Sequence, residues 1–168
     1  MTKIDGGLRA LLRGKIPEFH WTSIETGGTA NGVPDTNYLA PGGAEGWIEC
    51  KRARFWSVEF QTGQAAWLHR RARLGGRAWL AVRRAGDELW LVPGGLALAV
   101  ERGGLLALGE AWDWRWQGGP GRWAWGEARA LLAGPAVAIT ALPDSPGRLR
   151  GAAGRAARAR TAPGSQHT

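Results

Sequence analysis

Acids and a base with the chemistry of phosphodiester hydrolysis fall close together in this chain. Gly32-Val33-Pro34-Asp35 is followed, fourteen residues after the aspartate, by Glu49-Cys50-Lys51 at the end of an apolar run. Two carboxylates are the usual holders of a hard divalent cation such as Mg²⁺. A lysine beside them orients or deprotonates an attacking water and offsets charge in the transition state. Side chains alternate along a strand, so Trp47, Glu49 and Lys51 project together while Ile48 and Cys50 face the other way. If the strands carrying Asp35 and Glu49 pair antiparallel, both carboxylates reach one ion at about 2.0 to 2.1 Å, and the Cys50 carbonyl supplies another oxygen. Each piece alone is commonplace: a Pro-Asp is usually a turn, and a Glu-x-Lys pair is usually a surface ion pair. Their conjunction carries the signal.

The elements that must position these residues can be read from periodicity. Residues 7–19 predict a first helix, with Leu8, Leu11, Leu12 and Ile16 at helical spacing and Pro17 near its end. Residues 21–25 predict a short strand, 27–32 a glycine loop, 33–39 a second strand and 46–53 a third. A second helix is expected from about Thr62, as N-cap, to the Gly75-Gly76 stop. Strands over 77–83 and 88–92 follow around an Ala85-Gly86-Asp87 turn, then a short helix over 95–101 closed by Gly103-Gly104. That order predicts an α/β domain with a mixed sheet.

Length and composition bound the rest. The 168 residues suffice for one domain with a real core, expected over 1–142, followed by a tail over 143–168 that holds Arg148, Arg150, Arg155, Arg158 and Arg160 against a single acid, Asp144. That tail has no aromatics and is expected to be disordered, either as a solvated terminus or as a phosphate-contacting arm. The net charge of +8 fits a nucleic-acid partner without establishing one. Cys50 is the one cysteine, which excludes an internal disulfide and any cysteine-based zinc cluster. With no apolar run of membrane-spanning length, a soluble cytoplasmic protein, bacterial or from a phage-infected cell, is expected. Five of eleven tryptophans lie in Trp112-Asp113-Trp114-Arg115-Trp116 and Trp123-Ala124-Trp125. The alternation predicts a hairpin with one tryptophan face, packed on the sheet or left for base stacking or a subunit interface.

Taken together, Ile24-Glu25-Thr26 before the glycine loop, Gly32-Val33-Pro34-Asp35, Gly46-Trp47-Ile48-Glu49-Cys50-Lys51, Gln64-Ala65-Ala66-Trp67-Leu68, Gly75-Gly76 and the apolar strand 77–83 resemble the PD-(D/E)XK nuclease superfamily. Within it the chain is most similar to virus-type replication-repair nucleases and archaeal-type Holliday junction resolvases, many of them phage-encoded. The resemblance covers roughly residues 8 to 135. It implies a restriction-endonuclease-like core, Asp35 and Glu49 as metal ligands, Lys51 as catalytic lysine and Gln64 as a supporting glutamine. It also implies one more acid ahead of the glycine loop, for which Glu25 and Glu18 both qualify and Glu25 is preferred.

The expected activity is a Mg²⁺-dependent DNA endonuclease, with Mn²⁺ substituting, on branched or structured DNA in recombination, replication or repair. Arg70, Arg71, Arg73, Arg83 and Arg84 are candidates for phosphate contacts, which position a duplex without reading its sequence. A homodimer is expected if four-way junctions are cut symmetrically. The alternatives are a nuclease acting on structured RNA and a DNA-binding protein that keeps the fold without cleaving. His20 and His69 stand in no nucleophile or metal pattern and read as phosphate contacts or plain surface.

Overall fold

Leu8, Leu12 and Ile16 are all buried, and the first two lie on α1 (Leu8–Lys15), which opens the fold. The helix ends at Ile16, whose backbone leaves the helical region ahead of Pro17. The computed structural model describes residues 5–24, 32–85, 87–109 and 112–137. Glu25, most of the glycine loop and the basic tail lie outside the described residues. After α1 the chain lays down β1 (His20–Ser23), β2 (Thr36–Ala40) and β3 (Ala44–Ala53) as an antiparallel meander. It crosses through α2 (Gln64–Arg73) to β4 (Arg77–Arg84), and β5 (Glu88–Pro93) returns antiparallel. A 3₁₀ turn over Gly94–Leu96 leads into α3 (Ala97–Gly103), and β6 (Arg115–Trp116) and α4 (Trp125–Ala133) complete the described fold.

The six strands form one sheet in sequence order, antiparallel throughout except where the α2 crossover makes β3 and β4 parallel. The protein is thus an α/β domain with a mixed open sheet, as the element order predicts. Its two faces are covered by different helices. On one, Trp67 of α2 meets Trp47 of β3 edge to face. On the other, Tyr38 of β2 donates its hydroxyl to the Leu132 carbonyl of α4 at 2.9 Å. Gly46, paired with Tyr38 across β2 and β3, makes room for that ring, since a Cβ there would lie 2.3 Å from it. Buried on both faces, β4 and β5 carry the near-continuous apolar runs Ala78-Trp79-Leu80-Ala81-Val82 and Leu89-Trp90-Leu91-Val92. Among the described residues no helix is long and apolar enough to cross a membrane.

Two local expectations fail. Thr62 is not the cap of α2; the helix starts at Gln64 after Gly63, whose φ of 86° no β-branched residue tolerates. The tryptophan segment is not a hairpin. Only Arg115 and Trp116 are strand, they pair with β5, and residues 123–125 lead into α4. The reason is a stronger competitor for the backbone at the tip of β4 and β5. The Asp87 carbonyl accepts from the Gly119 amide at 2.9 Å and from Trp123 Nε1 at 2.9 Å, which pulls residues 119–123 onto that turn. Trp112 and Trp114 sit in the core at 4% and 5% exposure, Trp114 against Trp79. They are therefore spent on packing and offer neither a base-stacking platform nor a homodimer interface.

Candidate active site

Asp35 is the last residue before β2, and the pairing of Thr36 with Ile48 sets it opposite Glu49 on β3. The antiparallel pairing on which the meeting of these two residues depends is the one observed. The Asp35 backbone N–H donates to Glu49 Oε2 at 3.1 Å, so the two residues are locked to each other directly. The approach to Asp35 depends on Gly32. Its φ is +88°, and a Cβ would lie 2.6 Å from the Gly63 carbonyl group, just ahead of α2. Gly32 thereby lets the Pro34-Asp35 segment pass against the start of the helix that carries Gln64. Thr36, buried, donates its hydroxyl to Asp35 Oδ1 at 2.9 Å.

Glu49, Lys51 and Gln64 form a closed triangle. Lys51 Nζ lies 3.0 Å from Glu49 Oε1 and donates to Gln64 Oε1 at 2.6 Å, while Gln64 Nε2 donates to Glu49 Oε1 at 2.9 Å. The Gln61 backbone N–H donates to Gln64 Oε1 at 2.9 Å as well. The amide of Gln64 therefore has one workable orientation, oxygen toward the lysine and nitrogen toward the glutamate. Strand alternation delivers Glu49 and Lys51 to this face together, and both are buried. Cys50 points the other way into the core, where burial pushes its thiol pKa well above the usual range.

Neither carboxylate is fully compensated. Burial raises the Asp35 pKa against the Thr36 hydrogen bond and the Arg9 charge. Burial also raises that of Glu49, and the neighbouring Asp35 carboxylate adds to the rise against the pull of Lys51. The site thus holds two adjacent acids that are costly to ionise together, and their common remedy is a cation.

A further acid and base stand beside Asp35 that sequence spacing did not single out. Arg9 Nε lies 3.1 Å from Asp5 Oδ2 and 3.6 Å from Asp35 Oδ2, bracketed by both carboxylates. Asp5 also accepts from the backbone N–H of Gly7 at 3.0 Å and of Arg9 at 3.2 Å, which holds α1 in place. Burial alone would raise the Asp5 pKa, but the hydrogen bonds from Gly7 and Arg9 outweigh it and hold the group low. An aspartate just ahead of a helix is a readable cap; nothing in its spacing ties it to Asp35.

The other sequence candidates disperse. Glu18 pairs with Arg129 of α4 at 3.0 Å rather than joining the two acids. His69 donates from Nδ1 to the Gly95 carbonyl at 2.7 Å, a structural bond, and His20 is exposed. Arg83 holds the Gly6 carbonyl and Asp87, and Arg84 holds Glu88 and the Phe55 carbonyl. Arg71 lies over Trp47 and Trp67. Arg70 and Arg73 are exposed on α2 and make no ion pair within the described residues. Among the described residues no group of three or more His, Cys, Asp or Glu gathers as a metal cluster. No protein-family model matches the chain, and neither a curated protein nor a solved structure shows significant similarity to it.

Proposed function

We propose that this protein is a Mg²⁺-dependent nuclease with a restriction-endonuclease-like core, hydrolysing phosphodiester bonds in branched or structured DNA. The observation that carries the proposal is the locked constellation of Asp35, Glu49, Lys51 and Gln64, in which the Asp35 N–H bonds Glu49 and burial raises the pKa of both carboxylates. An all-oxygen donor set suits Mg²⁺ or Mn²⁺. Asp35, Glu49 and the Cys50 carbonyl would hold the ion, with Glu25 as the further acid. Such an ion supplies Lewis-acid polarisation of the phosphoryl group and a lowered pKa for the attacking water.

The protein's own groups then divide the work. Asp35, at the entry to β2, and Glu49, on β3, fix the reacting centre, tied to each other by the Asp35 N–H bond to Glu49 Oε2. Lys51 places an ammonium beside Glu49, where it offsets negative charge building on the phosphoryl oxygens and orients the water in line with the scissile bond. Gln64 accepts from Lys51 and donates to Glu49, which fixes the orientation of both members of that ion pair. Arg70 and Arg73 on the exposed side of α2 contact backbone phosphates.

The test is a cleavage assay on labelled linear duplex, single strand, flap, four-way junction and structured RNA, with Mg²⁺, Mn²⁺, Ca²⁺ or EDTA. Cleavage of a branched DNA with Mg²⁺ or Mn²⁺, and little with Ca²⁺ or EDTA, is expected. Cutting confined to RNA would move the substrate class, and no cutting under any condition would overturn the nuclease assignment.

A further inference from the structure

The segment between β3 and α2, residues 54–63, leaves the site three residues after Lys51 and re-enters it at Gln64. Most of it is fastened. Trp56 lies under the Arg84 guanidinium at 3.7 Å and edge-on to Trp90, and its carbonyl accepts from the Leu105 amide at 2.8 Å. Gly104 is what allows that approach, since a Cβ there would lie 2.3 Å from the Trp56 carbonyl oxygen. Val58 is buried, and the Phe60 ring lies 5.7 Å from Lys51 Nζ.

Phe55 is held by its backbone and open at its side chain. Its carbonyl accepts from Arg84 Nε at 3.1 Å, yet its ring is 69% exposed. The other large apolar side chains exposed among the described residues, Leu39, Leu74 and Leu106, are aliphatic. The Arg54 guanidinium stands 5.6 Å from the ring centroid, and Arg52 is exposed one turn of alternation earlier. Residues 50–58 contain Lys51, Arg52 and Arg54 and no acid. A rigidly mounted aromatic face in water, flanked by cations, within about 14 Å of chain from the lysine of the site, matches the chemistry of an unpaired base followed by its phosphates.

We propose that Phe55, backed by Arg54, is a stacking platform for an unpaired nucleobase next to the scissile phosphate, so that strands with an unstacked nucleotide are preferred over continuous duplex. In a duplex every base is already stacked on its neighbours, and the ring gains nothing there. Proline or glycine would keep the loop open equally well; an exposed phenylalanine held by Arg84 is the costly choice that stacking explains. The proposal rests on the nucleic-acid assignment above and adds the feature of the substrate that is recognised.

Binding in Ca²⁺, which permits association without turnover, tests the platform separately from catalysis. The probes are a fluorescein-labelled single-stranded DNA, a flap and a perfect duplex of equal length, across a salt series. Phe55→Ala should weaken single-strand and flap binding by about tenfold and duplex binding by less than twofold. Phe55→Trp should restore the preference, with the salt slope unchanged because no phosphate contact is lost. Arg54→Ala should instead lower the slope by about 0.7 for single strands. Equal losses on all three DNAs, or single-strand binding by Phe55→Ala like that of the wild type, would overturn the platform while leaving the nuclease assignment standing. Absence of binding by the wild type to any of them would overturn both.

Discussion

Glu49 and Glu88 are both buried glutamates on strands of one sheet, with side chains 3% and 8% exposed, and they are furnished in opposite ways. Glu88 accepts from Arg84 at 2.8 Å, Arg115 at 2.7 Å, Trp90 Nε1 at 3.0 Å and Gln117 at 3.2 Å. Burial alone would raise its pKa, but the bonds from Arg115, Trp90 and Arg84 outweigh burial and hold it low. Glu49 has one lysine, one amide and one backbone N–H, and a second carboxylate beside it; its pKa is raised. The first cluster is a closed structural joint that ties β4, β5 and β6 together. The second carries less positive charge beside its carboxylates, and under the nuclease proposal a cation would supply the rest. A perturbed buried acid is thus not enough to mark function, since burial enters both clusters and only the balance of partners differs.

The largest difference should appear in catalysis. Asp35→Ala and Lys51→Ala should each lower Mg²⁺-dependent cleavage by at least about a thousandfold, the scale of losing a group that acts on transition-state charge. Both should keep near-wild-type circular dichroism and DNA affinity, because affinity comes mainly from Arg and Lys elsewhere. Wild-type-like turnover by either would remove that residue from the mechanism.

Stability should show the reverse ranking. Glu88→Ala removes the carboxylate that Arg84, Arg115, Trp90 and Gln117 share and should cost about 3 to 5 kcal/mol in urea unfolding, as for other broken buried pairs. Glu49→Gln removes a charge whose folded pKa is raised, but its NH2 meets either the Asp35 N–H or the Lys51 and Gln64 donors, so its cost should be smaller than that of Glu88→Ala without vanishing. A large loss for Glu49→Gln beside a small one for Glu88→Ala would dissolve the distinction.

The two clusters should also answer pH with opposite signs. Glu88 has a lowered folded pKa, so its contribution is present above the ordinary glutamate value and is lost as pH falls through the folded value. Asp35 and Glu49 have raised folded pKa values, so theirs is fully present below the ordinary carboxylate values and is lost as pH rises through the folded values. Urea unfolding in EDTA should therefore show the stability of Glu49→Gln relative to wild type rising from acid toward neutral pH, and the deficit of Glu88→Gln shrinking toward acid. Parallel pH profiles would contradict both assignments.

The smallest expected effect concerns the arginines. Arg70 and Arg73 are exposed and unpaired within the described residues, whereas Arg84 and Arg115 are engaged by Glu88. Arg70→Ala or Arg73→Ala should lower the log–log salt slope of duplex binding by about 0.9 each. Folded Arg84→Ala should leave the slope unchanged, and an equal fall there would place the Glu88 cluster in the DNA interface as well.

What could be read in the sequence was what local periodicity encodes. Strand alternation put Glu49 and Lys51 on one face, while the antiparallel pairing of β2 with β3, a condition in the sequence, is what sets Asp35 opposite Glu49 in the fold. Long-range partners were not legible. Arg9 bracketed by Asp5 and Asp35 joins the first helix to the second strand, and Arg115 on Glu88 spans 27 positions. The tryptophan repeat misled because alternation reports a pleat only where a neighbouring strand is free to pair. Here the Asp87 carbonyl captured residues 119–123 first. Thr62 looked like a cap by type, but the close passage of Gly32 against Gly63 decided where α2 begins.

The most direct measurement of the central claim is single-turnover cleavage of a labelled flap and four-way junction by wild type, Glu49→Gln and Glu88→Gln, each assayed with Mg²⁺ and with EDTA below its melting temperature. The site at Asp35 and Glu49 predicts cleavage by wild type and folded Glu88→Gln with Mg²⁺, none in EDTA, and none by Glu49→Gln although it still binds the DNA. Cleavage by Glu49→Gln at the wild-type rate, or cleavage that persists in EDTA, would contradict it.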